Sequence, residues 1–157
     1  MSPGGGTVAA RLAQLGLSLP PVAKPVAAYV PAVRSGDLVW SSGQLPFVDG
    51  ELPTTGKVGA DVDPEKAADL ARICALNAIA AVHAEIGDLD RVRRVVKVVG
   101  FVASAPSFTG QPAVINGASN LLGDVFGDAG RHARSAVGVA VLPLDAPVEV
   151  EVVVEVS

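Results

Sequence analysis

Val148-Glu149-Val150-Glu151-Val152-Val153-Val154-Glu155-Val156 alternates with a period of two, so that Val148, Val150, Val152, Val154 and Val156 share one face. Glu149, Glu151, Val153 and Glu155 share the other. A strand divided in this way needs an apolar layer over its valine face, which helices supply, and leaves its glutamate face for solvent, a ligand or a neighbouring chain. Upstream, Arg134 to Val141 reads as a second strand, in which Arg134 lines up with Ala136, Gly138 and Ala140, small residues that leave room beside the sheet. A tight turn at Leu144 and Asp145 joins the two strands as a hairpin. That pairing sets Arg134 opposite Glu155 and Glu149 opposite Ala140, roughly 20 Å from Arg134 at about 3.3 Å per residue. The only arginine and the first glutamate of this stretch therefore meet only if the pairing is looser or if adjacent subunits contribute one group each.

The helices that cover the valine face are legible further back. Asp63 is placed as an N-cap with Pro64 at the first helical position, and Ala67, Leu70, Ala71, Cys74, Ala78 and Val82 recur at helical spacing until Gly87. Pro112 begins a second helix carrying Val114, Ile115, Ala118, Leu121, Leu122 and Val125, with Gly127 as its stop. Between them Arg91 to Ala103 is a valine-dense central strand, with Arg91 and Arg93 expected on one face and Val92 and Arg94 on the other. Ala27 to Val33 and Leu38 to Ser42 form a hairpin around the four-residue turn Arg34-Ser-Gly-Asp37, and residues 47 to 60 are loop. The order is β-β-α-β-α-β-β, an α+β sandwich with two helices on one face of a mainly antiparallel sheet. Residues 1–24 form an N-terminal extension (flexible start, short helix Val8 to Leu15, proline-rich linker), and residues 25–157 a single domain.

Composition narrows the function classes. With 157 residues, half of them hydrophobic, the chain is long enough for one core but short for two. A net charge of −4 opposes polyphosphate binding, so no nucleic-acid partner is expected. No signal peptide or bilayer-spanning run is read, so no membrane partner and a cytoplasmic location are expected. Cys74 is the only cysteine, which excludes an internal disulfide. His83 and His132 have no partner at metal-ligand spacing, Ser41-Ser42-Gly43 lacks the glycine-flanked nucleophile pattern, and Gly4 to Gly6 is not followed by Lys-Ser/Thr. What remains is Arg134, whose rigid fork of donors fits a carboxylate, and Glu149, a carboxylate able to hold and polarise water.

Tyr29 after a proline-rich approach, Ser42-Gly-Gln-Leu-Pro46, Asn116 on the second helix, Arg134 with Leu142-Pro143, and Val148-Glu149-Val-Glu151 together resemble the Rid family, also called YjgF-type proteins. The resemblance runs from about Pro25 to Val156, with its elements in order. It implies a chorismate-mutase-like fold, a homotrimer with ligand sites in the clefts between subunits, and hydrolysis of enamines or imines such as 2-aminoacrylate to a 2-keto acid and ammonia. It also implies that no metal or cofactor is needed. By position, Arg134 matches the residue that binds the substrate carboxylate and Glu149 the one that orients the hydrolytic water. Tyr29, Ser42, Gly43 and Asn116 match pocket-lining residues. Ala136 stands where well-known deaminases of the family have a cysteine. The alternative is a non-enzymatic binder of small carboxylic or 2-keto acids with a regulatory role.

Overall fold

The computed structural model describes residues 6–22 and 28–157. Most of the expected flexible start, Pro25 of the linker and Ala27 at the start of the first expected strand lie outside the described residues. In chain order the elements are α1 (Thr7–Gln14), β1 (Ala32–Ser35), β2 (Leu38–Ser41), α2 (Pro64–Ile86), β3 (Val92–Ala103), α3 (Gln111–Phe126), β4 (Ala133–Val139) and β5 (Val148–Val156). The five strands form one sheet in the order β1-β2-β5-β3-β4.

β5 is the middle strand because its valine face is the most continuous apolar surface in the chain. Val148, Val150, Val152, Val154 and Val156 are all buried, and the helix against β5 is α2. β2 and β3 flank it antiparallel. The expected hairpin between the last two strands does not form. β4 instead pairs parallel with β3, with Val98 beside Arg134, and β3 separates it from β5. The physical reason is the helix between them: a parallel neighbour needs a crossover of a dozen or more residues, and α3 supplies it. Residues 140–147 then cross the end of β3, where Ser104 N–H donates to the Val139 carbonyl and Ala103 N–H to that of Pro147. Leu144 and Asp145, the expected hairpin turn, adopt left-handed φ of 60° and 57° in that crossing.

Smaller details of these elements differ from the sequence reading. The first hairpin is shorter than predicted: Ser35 pairs with Leu38 across a two-residue loop whose first position, Gly36, has φ of 61°. β3 begins at Val92, because Arg91 closes a 3-10 turn and ties the end of α2 to the residue after β5 by donating to the Ile86 and Ser157 carbonyls. Register shifts between Val92 and Arg94 and between Val95 and Lys97 then break the alternation, so Val92 and Val95 are both buried while Arg93 and Arg94 are both exposed. Asp63 occupies the N-cap of α2 with extended backbone, but its side chain makes no capping bond. α2 also meets the length and composition of a membrane span, contrary to the reading of the sequence, yet 56% of that window is buried and the helix lies on the sheet.

α1 belongs to the same packing unit. Val8 and Leu12 enter the core, and both Asp90 carboxylate oxygens accept from the first backbone N–H groups of the helix, at Thr7 and Val8 (2.9 Å each). Arg11 reaches the Val125 carbonyl near the end of α3.

Candidate functional site

The residues singled out in the sequence assemble into two groups rather than one. The first lies between β4 and α3. Arg134 stands on the helix-bearing face of the sheet, level with buried Val98. One of its terminal nitrogens, Nη1, donates to Asn116 Oδ1 at 2.8 Å and to Ser119 Oγ at 3.2 Å. Asn116 and Ser119 are three apart on α3 and so share a face one turn apart, aimed at β4. Ala136 and Gly138 follow Arg134 on the same face, and a Cβ at Gly138 would stand 2.8 Å from the Gln111 amide nitrogen, so this channel is already narrow.

The second group lies at the junction of β2 and β5. Gln44 bridges to Val150, which lays Gly43 against Glu149 so closely that a Cβ on Gly43 would sit 2.3 Å from a Glu149 carboxylate oxygen. Gly43 is therefore a close-approach glycine. The Ser42 hydroxyl donates to the Val30 carbonyl at 2.6 Å and its backbone N–H to that of Pro31, so Ser42 is spent on anchoring the segment that carries Tyr29. Tyr29 itself is 52% exposed. Asn77 on α2 holds the following loop by donating to the Leu45 and Phe47 carbonyls.

Burial raises the pKa of Glu149 above the ordinary carboxylate value, and the neighbouring Glu151 charge adds to the effect. Such a carboxyl binds its proton more tightly folded than unfolded, so its contribution favours the native state on the acid side and is lost as pH rises through the raised value. Glu149→Gln is expected to cancel that loss: the melting temperature of the variant relative to wild type should climb as pH goes from about 4 to about 7. A difference that stays flat with pH contradicts the buried environment described here. Burial, and then the Glu149 charge, push the Cys74 thiol well above its ordinary value, so it stays protonated and inert within the core.

The two groups do not meet within one chain. The sequence reading set Arg134 opposite Glu155 and on its face; Arg134 instead lies beside Val98, Glu155 beside Arg94, and Glu149 beside Phe101 on the opposite face. Two strand spacings and three residues of rise separate Arg134 from Glu149, about 14 Å between their backbones. Two concavities, of about 220 and 420 Å³, lie beside α1, β1 and the end of α2, and neither is lined by Arg134 or Glu149. Among the described residues no cluster of three His, Cys, Asp or Glu side chains suits a metal ion. Two residues of the first group, Ser119 and His132, were not assigned to the site from the sequence. The signal that could have found them is the three-residue spacing of Asn116 and Ser119 together with a histidine two positions before Arg134.

Among the described residues three α-helices and a five-stranded mixed sheet make up an α+β fold of the YjgF/chorismate-mutase-like class. Residues 9–156 match the family model described as "YjgF/chorismate mutase-like, putative endoribonuclease", and the chain belongs to that family. It is 50% identical over 153 residues to Protein TCP17 of Trypanosoma cruzi, covering 97% of this chain and 96% of that one. Among solved structures it resembles Atu1372 of Agrobacterium tumefaciens, a protein of unknown function, at 49% identity and a TM-score of 0.90, over 96% of this chain and 93% of that one. It also resembles TdcF of E. coli, solved with bound serine, at 29% identity and a TM-score of 0.65, over 87% and 94% of the two chains.

Proposed function

We propose that the chain hydrolyses reactive enamine and imine intermediates of the 2-aminoacrylate type to 2-keto acids and ammonia, in clefts between the subunits of a homotrimer. The observation that carries this reading is the state of Arg134: Nη1 is committed to α3, and the rest of the guanidinium has no partner among the described residues. Such a half-satisfied fork at the edge of a sheet is suited to a substrate carboxylate. Glu149, whose proton is held more tightly than usual by burial and by the neighbouring Glu151 charge, is suited to exchange a proton with water. Since Arg134 and Glu149 of one chain lie on opposite faces of the sheet, a complete site draws the two from different copies.

The chemistry asks little beyond this. Water adds to C2 of the protonated imine, one of its protons passes to Glu149, and the resulting amino alcohol releases ammonia to leave the 2-keto acid. Glu149 returns the proton to the departing nitrogen, which also takes up the hydroxyl proton as the carbonyl forms and leaves as ammonium, so atoms and charge balance without a cofactor. The rival reading is a binder of small carboxylic acids that does no chemistry, and the serine bound to TdcF is what favours it. A coupled assay that generates 2-aminoacrylate separates the two. Faster decay with wild type than without protein supports hydrolysis, and saturable, Arg134-dependent binding without turnover supports the rival.

A further inference from the structure

Below Arg134 runs a hydrogen-bond chain whose direction can be worked out atom by atom. His132 Nδ1 lies 2.6 Å from the Gly130 carbonyl oxygen, and its Nε2 lies 2.9 Å from Ser119 Oγ. A carbonyl oxygen only accepts, so Nδ1 carries the ring proton; in the neutral ring Nε2 is then the acceptor, and the Ser119 hydroxyl donates to it. With its proton committed, Ser119 turns its lone pairs toward Arg134 and accepts from Nη1. Asn116 Oδ1 accepts from the same nitrogen, so both Nη1 hydrogens are taken. The Nε–H and Nη2 donors, which form the adjacent edge of the guanidinium, remain. The far end of the chain is fixed as well, because Gly130 is buried and a Cβ there would stand 2.3 Å from the Leu122 carbonyl oxygen of α3.

We propose that His132, acting through Ser119, is a positioning residue of the acid-binding site: it fixes the Arg134 guanidinium so that its Nε–Nη2 edge receives a carboxylate through two parallel hydrogen bonds. This deepens the reading of Arg134 as the carboxylate-binding residue and rests on it. The chain also accounts for Asn116, Ser119 and His132 together. Without His132 the serine hydroxyl is free to rotate its own proton toward the guanidinium, and the Nη1 tether on that side is lost.

Two shape-matched variants separate positioning from mere packing. Glutamine places its carbonyl oxygen near the Nε2 position and keeps an acceptor for Ser119, whereas asparagine places its amide nitrogen near Nδ1 and keeps only the tie to Gly130. The probe is pyruvate, titrated by calorimetry into the full chain and into variants whose folding is checked by thermal melts. Arg134→Ala should abolish binding, Ser119→Ala and His132→Asn should each weaken it about five- to tenfold, and His132→Gln should stay within about twofold of wild type. Nitrogen NMR of the ring should report the Nδ1–H tautomer. Ser119→Ala and His132→Asn binding like wild type, asparagine serving as well as glutamine, or an Nε2–H tautomer would each overturn the positioning role while Arg134→Ala still fails to bind. Pyruvate binding that survives Arg134→Ala, or is absent from wild type, overturns the underlying carboxylate reading instead, and the positioning role with it.

Discussion

Arg134→Ala is expected to lower kcat/KM for 2-aminoacrylate hydrolysis by about 10² to 10³, from the loss of two charge-assisted hydrogen bonds to the substrate carboxylate. The effect should fall on KM and kcat together, since in the proposed site the same contact both holds the acid and orients C2 toward water. Arg134→Lys keeps the charge but not the fork, so it should recover no more than about tenfold of that loss. The fold should survive either change, because the arginine lies at an edge strand and its partners Asn116 and Ser119 remain within reach of solvent. Full activity in the alanine variant, measured by the same coupled assay, would contradict its role.

The largest structural effect is expected at a glycine far less conspicuous in the sequence. A Cβ on Gly117 would stand 1.9 Å from the Ala68 carbonyl oxygen, so α2 and α3 approach to backbone contact there. The obstacle is a helix backbone and not a flexible side chain, so Gly117→Ala must push two packed helices apart. Overpacking of this kind costs about 3 kcal/mol, which lowers the melting temperature of a chain this long by roughly 6 to 12 °C. Gly123 on the same helix is the internal control, having nothing within 4 Å of an added Cβ. Gly123→Ala should stabilise by about 0.5 to 1 kcal/mol through helix propensity alone. If the two alanine variants melt alike, the packing of α2 on α3 described here is wrong.

The contrast between these glycines shows what the sequence carries and what it does not. The period-two valines of β5 and the helical spacing of Leu70, Cys74, Leu121 and Val125 reveal the elements and their buried faces, because burial is written into each residue locally. Strand neighbours are not local. Nothing between Val141 and Val148 says that the chain crosses the end of β3 instead of turning back, and that one choice moves Arg134 from the glutamate face to the helix face. The bulges in β3 hide in the same way, since only the fit of Arg93 and Arg94 to solvent decides them. Of the candidate site, Gly43 against Glu149 and Asn116 against Arg134 assemble as pairs within the chain. In the sequence His132 reads as a surface or loop histidine, with the cleft beside Arg134 as the lesser alternative, and Ser119 carries no signal, because a lone serine and a lone histidine point to chemistry only once the fold sets them 2.9 Å apart.

The placement of Arg134 and Glu149 on opposite faces also makes the two-copy site testable without a view of the assembly. Arg134→Ala lacks the proposed acid-binding group and Glu149→Gln the proposed proton-transfer group, and each alone should be nearly inactive. When the two variants are co-expressed in equal amounts in a closed cyclic assembly, roughly a quarter of the clefts receive an intact arginine from one copy and an intact glutamate from the next. Recovery of about a quarter of wild-type 2-aminoacrylate hydrolysis is the predicted result. Mixed protein no more active than the separate variants, in assemblies verified to contain both, would contradict it.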